Sequence, residues 1–196
     1  MQVRGLVEKS AYRVNALWHN FDMAIPGAHD VTALIITEQH SAGRSVDKKQ
    51  LQKLLYLVTA AHYAMWGDRA FREPIHAFKA GPVVKPVEIS YRTGDGYVID
   101  GPLGGSPDRV DKRRRATVRF VLDHFGGWTA DNLERYIKRT PDSPWNEVRG
   151  ELPRTAPSDV EIPQNLILAW ARRNPVVPAH SVADSGSDLD LASLIA

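Results

Sequence analysis

The sequence predicts a mainly α fold: a compact single-domain bundle of six or seven helices around a buried central helix at 47–66, with at most a small β-hairpin. Three observations predict it. First, Leu51, Leu54, Leu55, Val58, Ala61 and Met65 recur at spacings of three and four and share one helical face, while Tyr56, Ala60 and Tyr63 fill a second. A helix apolar on two faces belongs in a core rather than on a surface. Second, further stretches with helical periodicity flank it, separated by breaks that carry glycine and proline. Third, the extended-looking run from Phe71 to Lys79 alternates poorly, which limits any sheet to a hairpin.

Residues 1–25 read as an N-terminal extension. Val7, Ala11, Val14, Trp18 and Phe21 fall near one face and predict a helix from about Val3 to Asn20. The main domain spans 26–174 and opens at Pro26-Gly27. Asp30 is expected to cap a helix from Val31 to about Ala42, stopped by Gly43. Asp47, with Gln50 three residues on, has the form of a capping box for the central helix, and Gly67 fits a left-handed C-cap. Gly81-Pro82 predicts a turn, and Pro86 suits the first turn of another helix. Tyr97-Val98-Ile99, set among glycines, is either an edge strand against Ile75–Phe78 or a loop.

A helix is expected from about Asp108 to Phe125. Val110, Thr117, Val118, Val121 and Leu122 point inward, and Arg109, Lys112, Arg113 and Arg115 point to solvent. Gly126-Gly127 ends it. Thr129 caps the next, with Leu133, Tyr136 and Ile137 inside, and Ser143-Pro144 begins another. Residues 150–161 read as a loop. Pro163 starts a last helix with Leu166, Ile167 and Trp170 inside. Residues 175–196 are expected to be a flexible tail: a polar linker followed by a short apolar end, Leu191 to Ala196, of the kind that docks on another surface.

Composition narrows the functional classes. The 196 residues include no cysteine, which excludes disulfides, thiolate zinc sites and cysteine nucleophiles. No run approaches the ~20 apolar residues of a membrane helix, and MQVRGLVEKS lacks the apolar run of a signal peptide, so a cytoplasmic location away from membranes is expected. The net charge of +2 is unevenly spread. Residues 47–92 carry eight Lys or Arg against four acids, 108–119 carry six against two, and 150–196 carry three against six. Such a distribution suits solvated helix faces, or a basic surface that meets an acidic partner or its own tail.

Catalytic patterns are missing. The seven histidines are scattered with no H-x-x-x-H pair, and Asp-x-Asp occurs only at Asp188-Leu189-Asp190. Gly101 to Gly105 lacks the Lys-Ser/Thr of a phosphate loop, and there is no Gly-x-Ser-x-Gly elbow. His62, beside Tyr63 on the central helix, reads as a satisfied core histidine. Nucleic-acid binding is disfavoured because no aromatic interleaves Lys112–Arg115 and no helix-turn-helix reader follows. No cofactor, metal or catalytic residue is implied.

Two blocks do carry a signal. Lys53 to Tyr56 (KLLY), Gly67, Phe71 with Ile75, Ala77 and Phe78, and Gly81 to Val83 (GPV) form one ordered series. Leu133, Thr140 and Pro144-Trp145 form a second. Together they resemble the Panacea or SocA-like antitoxin family of type II toxin–antitoxin systems, which includes phage-associated proteins. The resemblance runs from about Ala28 to Arg173, and Pro141 stands where the family usually has His. It implies an antitoxin that neutralises a cognate toxin by stoichiometric binding. In the family's named example the antitoxin also presents its toxin to an ATP-dependent protease, a second role that these motifs do not themselves imply. The competing classes are a DNA-binding autoregulator of its operon and a small hydrolase using His62 or His76 with an acid. Aromatic and basic residues cluster at the Gly-Pro-Val turn. Phe78, Lys79, Gly81, Pro82, Val83 and Lys85 are therefore the candidate rim of the partner-binding face, with His76 and Tyr91 beside them and Val83 or Val84 exposed.

Overall fold

The computed structural model describes residues 25–92, 98–140, 142–153, 155–174 and 176. The expected N-terminal helix and the tail's apolar end lie outside these residues. The described residues form seven α-helices, a 3-10 turn and a two-stranded antiparallel hairpin, a mainly helical domain as expected. In order they are α1 (Ala28–Ser41), α2 (Lys48–Trp66), β1 (His76–Phe78), β2 (Gly81–Val83), α3 (Lys85–Ser90), the 3-10 turn Pro107–Arg109, α4 (Lys112–Phe125), α5 (Ala130–Ile137), α6 (Pro144–Arg149) and α7 (Gln164–Arg173).

Helix α2 is the axis. The Asp47 carboxylate accepts the Gln50 N–H at 2.8 Å, and Gly67 closes the helix at φ 76°, donating to the Tyr63 carbonyl. Every residue from Gln50 to Tyr63 is buried. Helices α1, α4, α5 and α7 and strand β2 pack around it, so the apolar residues of two faces are only part of what it buries. The expected capping box is incomplete in one respect. The Gln50 amide does not turn back to its own helix; it donates to the Trp128 carbonyl at 2.8 Å and anchors the start of α5. Ser143 and Thr129 cap α6 and α5 through their hydroxyls as expected.

Four local expectations change. Helix α1 starts at Ala28, not Val31, because Asp30 sits inside its first turn; its carboxylate accepts from Gly27 N–H at 3.0 Å and from Ser106 N–H at 2.8 Å. Helix α4 starts at Lys112 because Asp111, rather than Asp108, accepts the Arg113 and Arg114 N–H groups; Pro107–Arg109 forms a separate 3-10 turn. Strand β1 pairs with Gly81–Val83, in the register His76↔Val83, Ala77↔Pro82, Phe78↔Gly81, whereas Val98 and Ile99 pair with Asp47 and Val46; Tyr97 lies outside the described residues. Pro82 is tolerated because the Ala77 carbonyl opposite it accepts from Arg149 Nη1 at 3.4 Å and needs no N–H from residue 82, while the Ala77 N–H donates outward to the Val160 carbonyl at 2.7 Å. Finally, 160–162 is more than loop: Ile162 N–H donates to the Ile75 carbonyl at 2.7 Å, laying this segment along the outer edge of β1.

Leu55 is fully buried in the middle of α2. Leu55→Ala is expected to cost about 2–5 kcal/mol of unfolding free energy, measured by denaturant titration. Amide exchange should find 51–63 among the last groups to open; opening of this helix ahead of α3 would contradict its role as the axis.

Candidate functional site: the hairpin and its supports

The two sequence blocks meet at the hairpin. Lys53 extends from α2 against Gly81, so closely that a Cβ at Gly81 would lie 2.7 Å from Lys53 Cε. Gly81 also has φ 109°, which only glycine adopts without strain. The backbone conformation is what requires glycine; a side chain there would in addition have to push the end of Lys53 aside.

On the other side, three successive carbonyls of the hairpin are each met by a side chain: Trp145 of the second block, and Lys138 and Arg149 that flank it. Arg149 Nη1 donates to the Ala77 carbonyl at 3.4 Å, Trp145 Nε1 to Phe78 at 2.8 Å, and Lys138 Nζ to Lys79 at 3.3 Å. The Trp145 ring is held by two cations, Lys138 at 3.8 Å and Arg149 at 4.8 Å from its centre, and Lys138 is paired with Glu134. Thr140 joins the same support: its hydroxyl accepts from Trp170 Nε1 at 3.2 Å and its carbonyl from Asn146 Nδ2 at 2.6 Å. Pro141 lies outside the described residues.

The eight predicted face residues divide into three groups. Lys79 is exposed and Phe78 half-buried at the turn. Lys85 Nζ lies 2.7 Å from Asp159 Oδ2, and His76 Nδ1 is 3.1 Å from the Asp159 carbonyl, so these two share one acidic neighbour. Gly81, Pro82, Val83 and Tyr91 are buried. Val83 is 6% exposed and Val84 1%, which overturns the expectation of an exposed valine there; they point onto the core because α2 lies directly beneath β2. Tyr91 faces away from the turn and lines a separate cavity of about 170 Å3 with Lys48, Val98, Ile99 and Leu103; its hydroxyl accepts the Leu103 N–H at 2.6 Å.

Charge at the site is carried by a residue that the spacing did not single out chemically. Lys53 is 2% exposed, and among the described residues its ammonium has no ion pair within 4 Å. Burial lowers its pKa from 10.5 to about 8, against the opposing pull of Glu134.

A second buried cluster lies at the far end of α2. His62 Nδ1 is 2.9 Å from Thr117 Oγ1, and His62 Nε2 is 2.7 Å from Asp68 Oδ1 in a contact bent away from hydrogen-bond alignment. Hydroxyl, imidazole and carboxylate stand in the order of a nucleophilic triad. Yet His62 and Thr117 have no exposed surface, and the Thr117 hydroxyl is already met by Trp66 Nε1 at 3.1 Å and the Arg113 carbonyl at 3.0 Å. His62 is thus a core histidine that ties α2 to α4, but the expectation that it is fully satisfied holds only at Nδ1; Nε2 is buried without a hydrogen-bond partner.

The basic run is also partly structural. Arg109, Lys112 and Arg113 are exposed, but Arg115 is half-buried and donates to the Val110 carbonyl at 2.9 Å, correcting its placement in solvent. Arg114, buried between them, binds the Ala70 carbonyl at 3.0 Å and Asp111. Among the described residues no group of three or more His, Asp or Glu could hold a metal ion, and no helix is long and apolar enough to cross a membrane. Compared with protein-family models, curated proteins and solved structures, the chain matches none.

Two pH-dependent predictions follow from the buried bases. Below pH 8 both folded and unfolded Lys53 are protonated and the full cost of burying the charge is present; between about 8 and 10.5 only the unfolded chain keeps the proton, so stability rises with pH. Lys53→Met should gain about 1–3 kcal/mol at pH 7 in urea titrations and lose that rise. His62 behaves in the acid range. Burial lowers its pKa from 6.5 to about 4, so the unfolded chain takes up a proton first and stability falls as pH drops through that window. The fall should be about 2–3 kcal/mol and absent in His62→Gln, read as the slope of unfolding free energy against pH.

Proposed function

We propose that the protein is an antitoxin of the Panacea-like type, which neutralises a cognate toxin by direct stoichiometric binding. The observation that carries this reading is the convergence of the two resembling blocks on one hairpin: Lys53 against Gly81 from one side, and Trp145 on the Phe78 carbonyl from the other. Residues far apart in sequence are spent on fixing a short turn, not on assembling a reachable nucleophile, base or metal. A turn held this firmly presents Phe78 and Lys79 with little ordering entropy left to lose on binding.

The contact face is accordingly the Phe78–Lys79 turn, with His76 and Lys85 on its rim. Gly81, Pro82 and Val83 act from beneath by holding the turn's shape, and Tyr91 lies outside the face. A half-buried aromatic at such a turn is a natural anchor, and a rim lysine acts mainly on association rate and salt dependence.

The test is co-expression with the product of the neighbouring small reading frame. Phe78→Ala should keep its melting temperature but lose rescue of growth, with a binding cost of about 1–4 kcal/mol by calorimetry. Lys79→Glu should slow association and flatten its salt dependence. Full rescue by folded variants at Phe78, Lys79, His76 and Lys85 would remove the face from the hairpin.

A further inference from the structure

We propose that the acidic, leucine-bearing segment Asp188 to Ile195 of this same chain docks in the cleft formed by Trp128, Asn132, Arg135 and Tyr136 beside α5. The cleft has a volume of about 400 Å3, room for a few side chains. Its floor is aromatic and braced. The Trp128 and Tyr136 rings meet edge to face at 5.9 Å, and Phe125 backs them at 5.2 and 4.9 Å. Its wall is cationic. Arg135 is exposed, with its guanidinium bonded to the Asn132 side-chain oxygen; the exposed Arg139 does not line the cleft but lies beside it, 3.8 Å from the centre of the Tyr136 ring. Trp, Tyr and Arg together are the residues that carry the energy of protein interfaces. A guanidinium on the wall beside an apolar floor, with a second just outside it, calls for an occupant with both carboxylates and aliphatic side chains.

The chain carries such a segment. Residues 177–196 hold Asp184, Asp188 and Asp190 and no lysine or arginine, with Leu189, Leu191, Leu194 and Ile195 among them. Asp and Leu alternate over 188–191, so an extended backbone would turn the carboxylates to one side and the leucines to the other. The attachment point is near. Arg139 lies over the ring of the cleft residue Tyr136 and also 5.3 Å from the Trp170 ring, so one guanidinium links a cleft residue to α7, the helix that precedes the segment. Val176 is six residues beyond Trp170, at most ~15 Å by chain geometry. The eleven residues from 177 to 187 add a root-mean-square reach of roughly 17–20 Å. Tethering at this length gives an effective concentration on the order of millimolar, so weak contacts suffice. Another apolar patch, around Ile89, Val98 and Leu103, fits the segment less well: its neighbour Lys48 is already paired with Glu88 at 3.0 Å, and Asp100 stands on its rim.

Docked there, the segment is a tethered competitor. A partner approaching α5 must displace it, and displacement frees Leu191 to Ile195. This inference is independent of the antitoxin reading.

Because the chain has no cysteine, Ser193→Cys carries a single nitroxide on the full-length protein. Amide and indole spectra should show selective broadening at Trp128, Asn132 and Arg135, with at least a threefold loss of intensity against the reduced label. Arg135→Glu should abolish the broadening, and adding Asp188→Arg with Asp190→Arg should restore it. The tail pair alone, which leaves the domain untouched, should also abolish it. Uniform broadening, a maximum at Ile89 and Leu103, or indifference to both charge reversals would overturn the proposal. So would broadening that survives when labelled and isotope-enriched chains are different molecules, since a second copy would then be the occupant.

Discussion

Burying a helix on every side obliges its polar residues to find partners inside the domain. In α2 that obligation shapes the rest of the molecule. Gln50 donates to the Trp128 carbonyl and so fixes where α5 begins. Gln52 accepts the Val84 N–H at 2.8 Å and so fixes where the hairpin gives way to α3. His62 meets Thr117 and fixes α4. Leaving any of these groups unpaired would cost about 1–3 kcal/mol, so each partner is a structural requirement rather than an accessory. The apolar stripe supplies the driving force for burial, and the polar residues supply the register of the neighbours.

Three groups depart from this pattern: the Tyr56 hydroxyl and His62 Nε2 are buried without a hydrogen-bond partner, and Lys53 is buried with its charge. The Lys53 stem is accommodated by the missing side chain of Gly81, and its ammonium stays inside at a cost that shows as a lowered pKa. A methionine would fill the same space without that cost. Stability is therefore not the reason for a lysine here, whereas a charge held close under a turn that carries Lys79 and is flanked by Lys85 and Lys138 adds to the positive potential a partner meets.

Much of the fold was legible in local chemistry. Asp47, Gly67, Thr129 and Ser143 mark their helix ends as capping rules require, and the two-faced stripe of α2 identified the axis. What could not be read depends on contacts distant in sequence. Asp30 reads as an N-cap, but Ser106, 76 residues away, recruits it inside the first turn. Gly81-Pro82-Val83 has no strand periodicity; a proline is acceptable in it because Arg149, 72 residues from Ala77, donates to the Ala77 carbonyl that faces residue 82. The candidate face was half legible. Phe78 and Lys79 stand where a turn exposes them, whereas Val83 and Tyr91 were apolar residues whose burial only the position of α2 and of Leu103 decides.

The way the hairpin is closed limits how anything can bind it. On one edge, 160–162 already pairs with β1. On the other, Pro82 has no N–H to offer, and Val84 gives its own to Gln52. No run of unpaired backbone groups remains along either edge, so a guest chain cannot extend this sheet by adding a strand. Whatever recognises the hairpin must read the side chains of its tip, where a single residue can decide which guest is admitted and evolution can exchange guests without disturbing the frame.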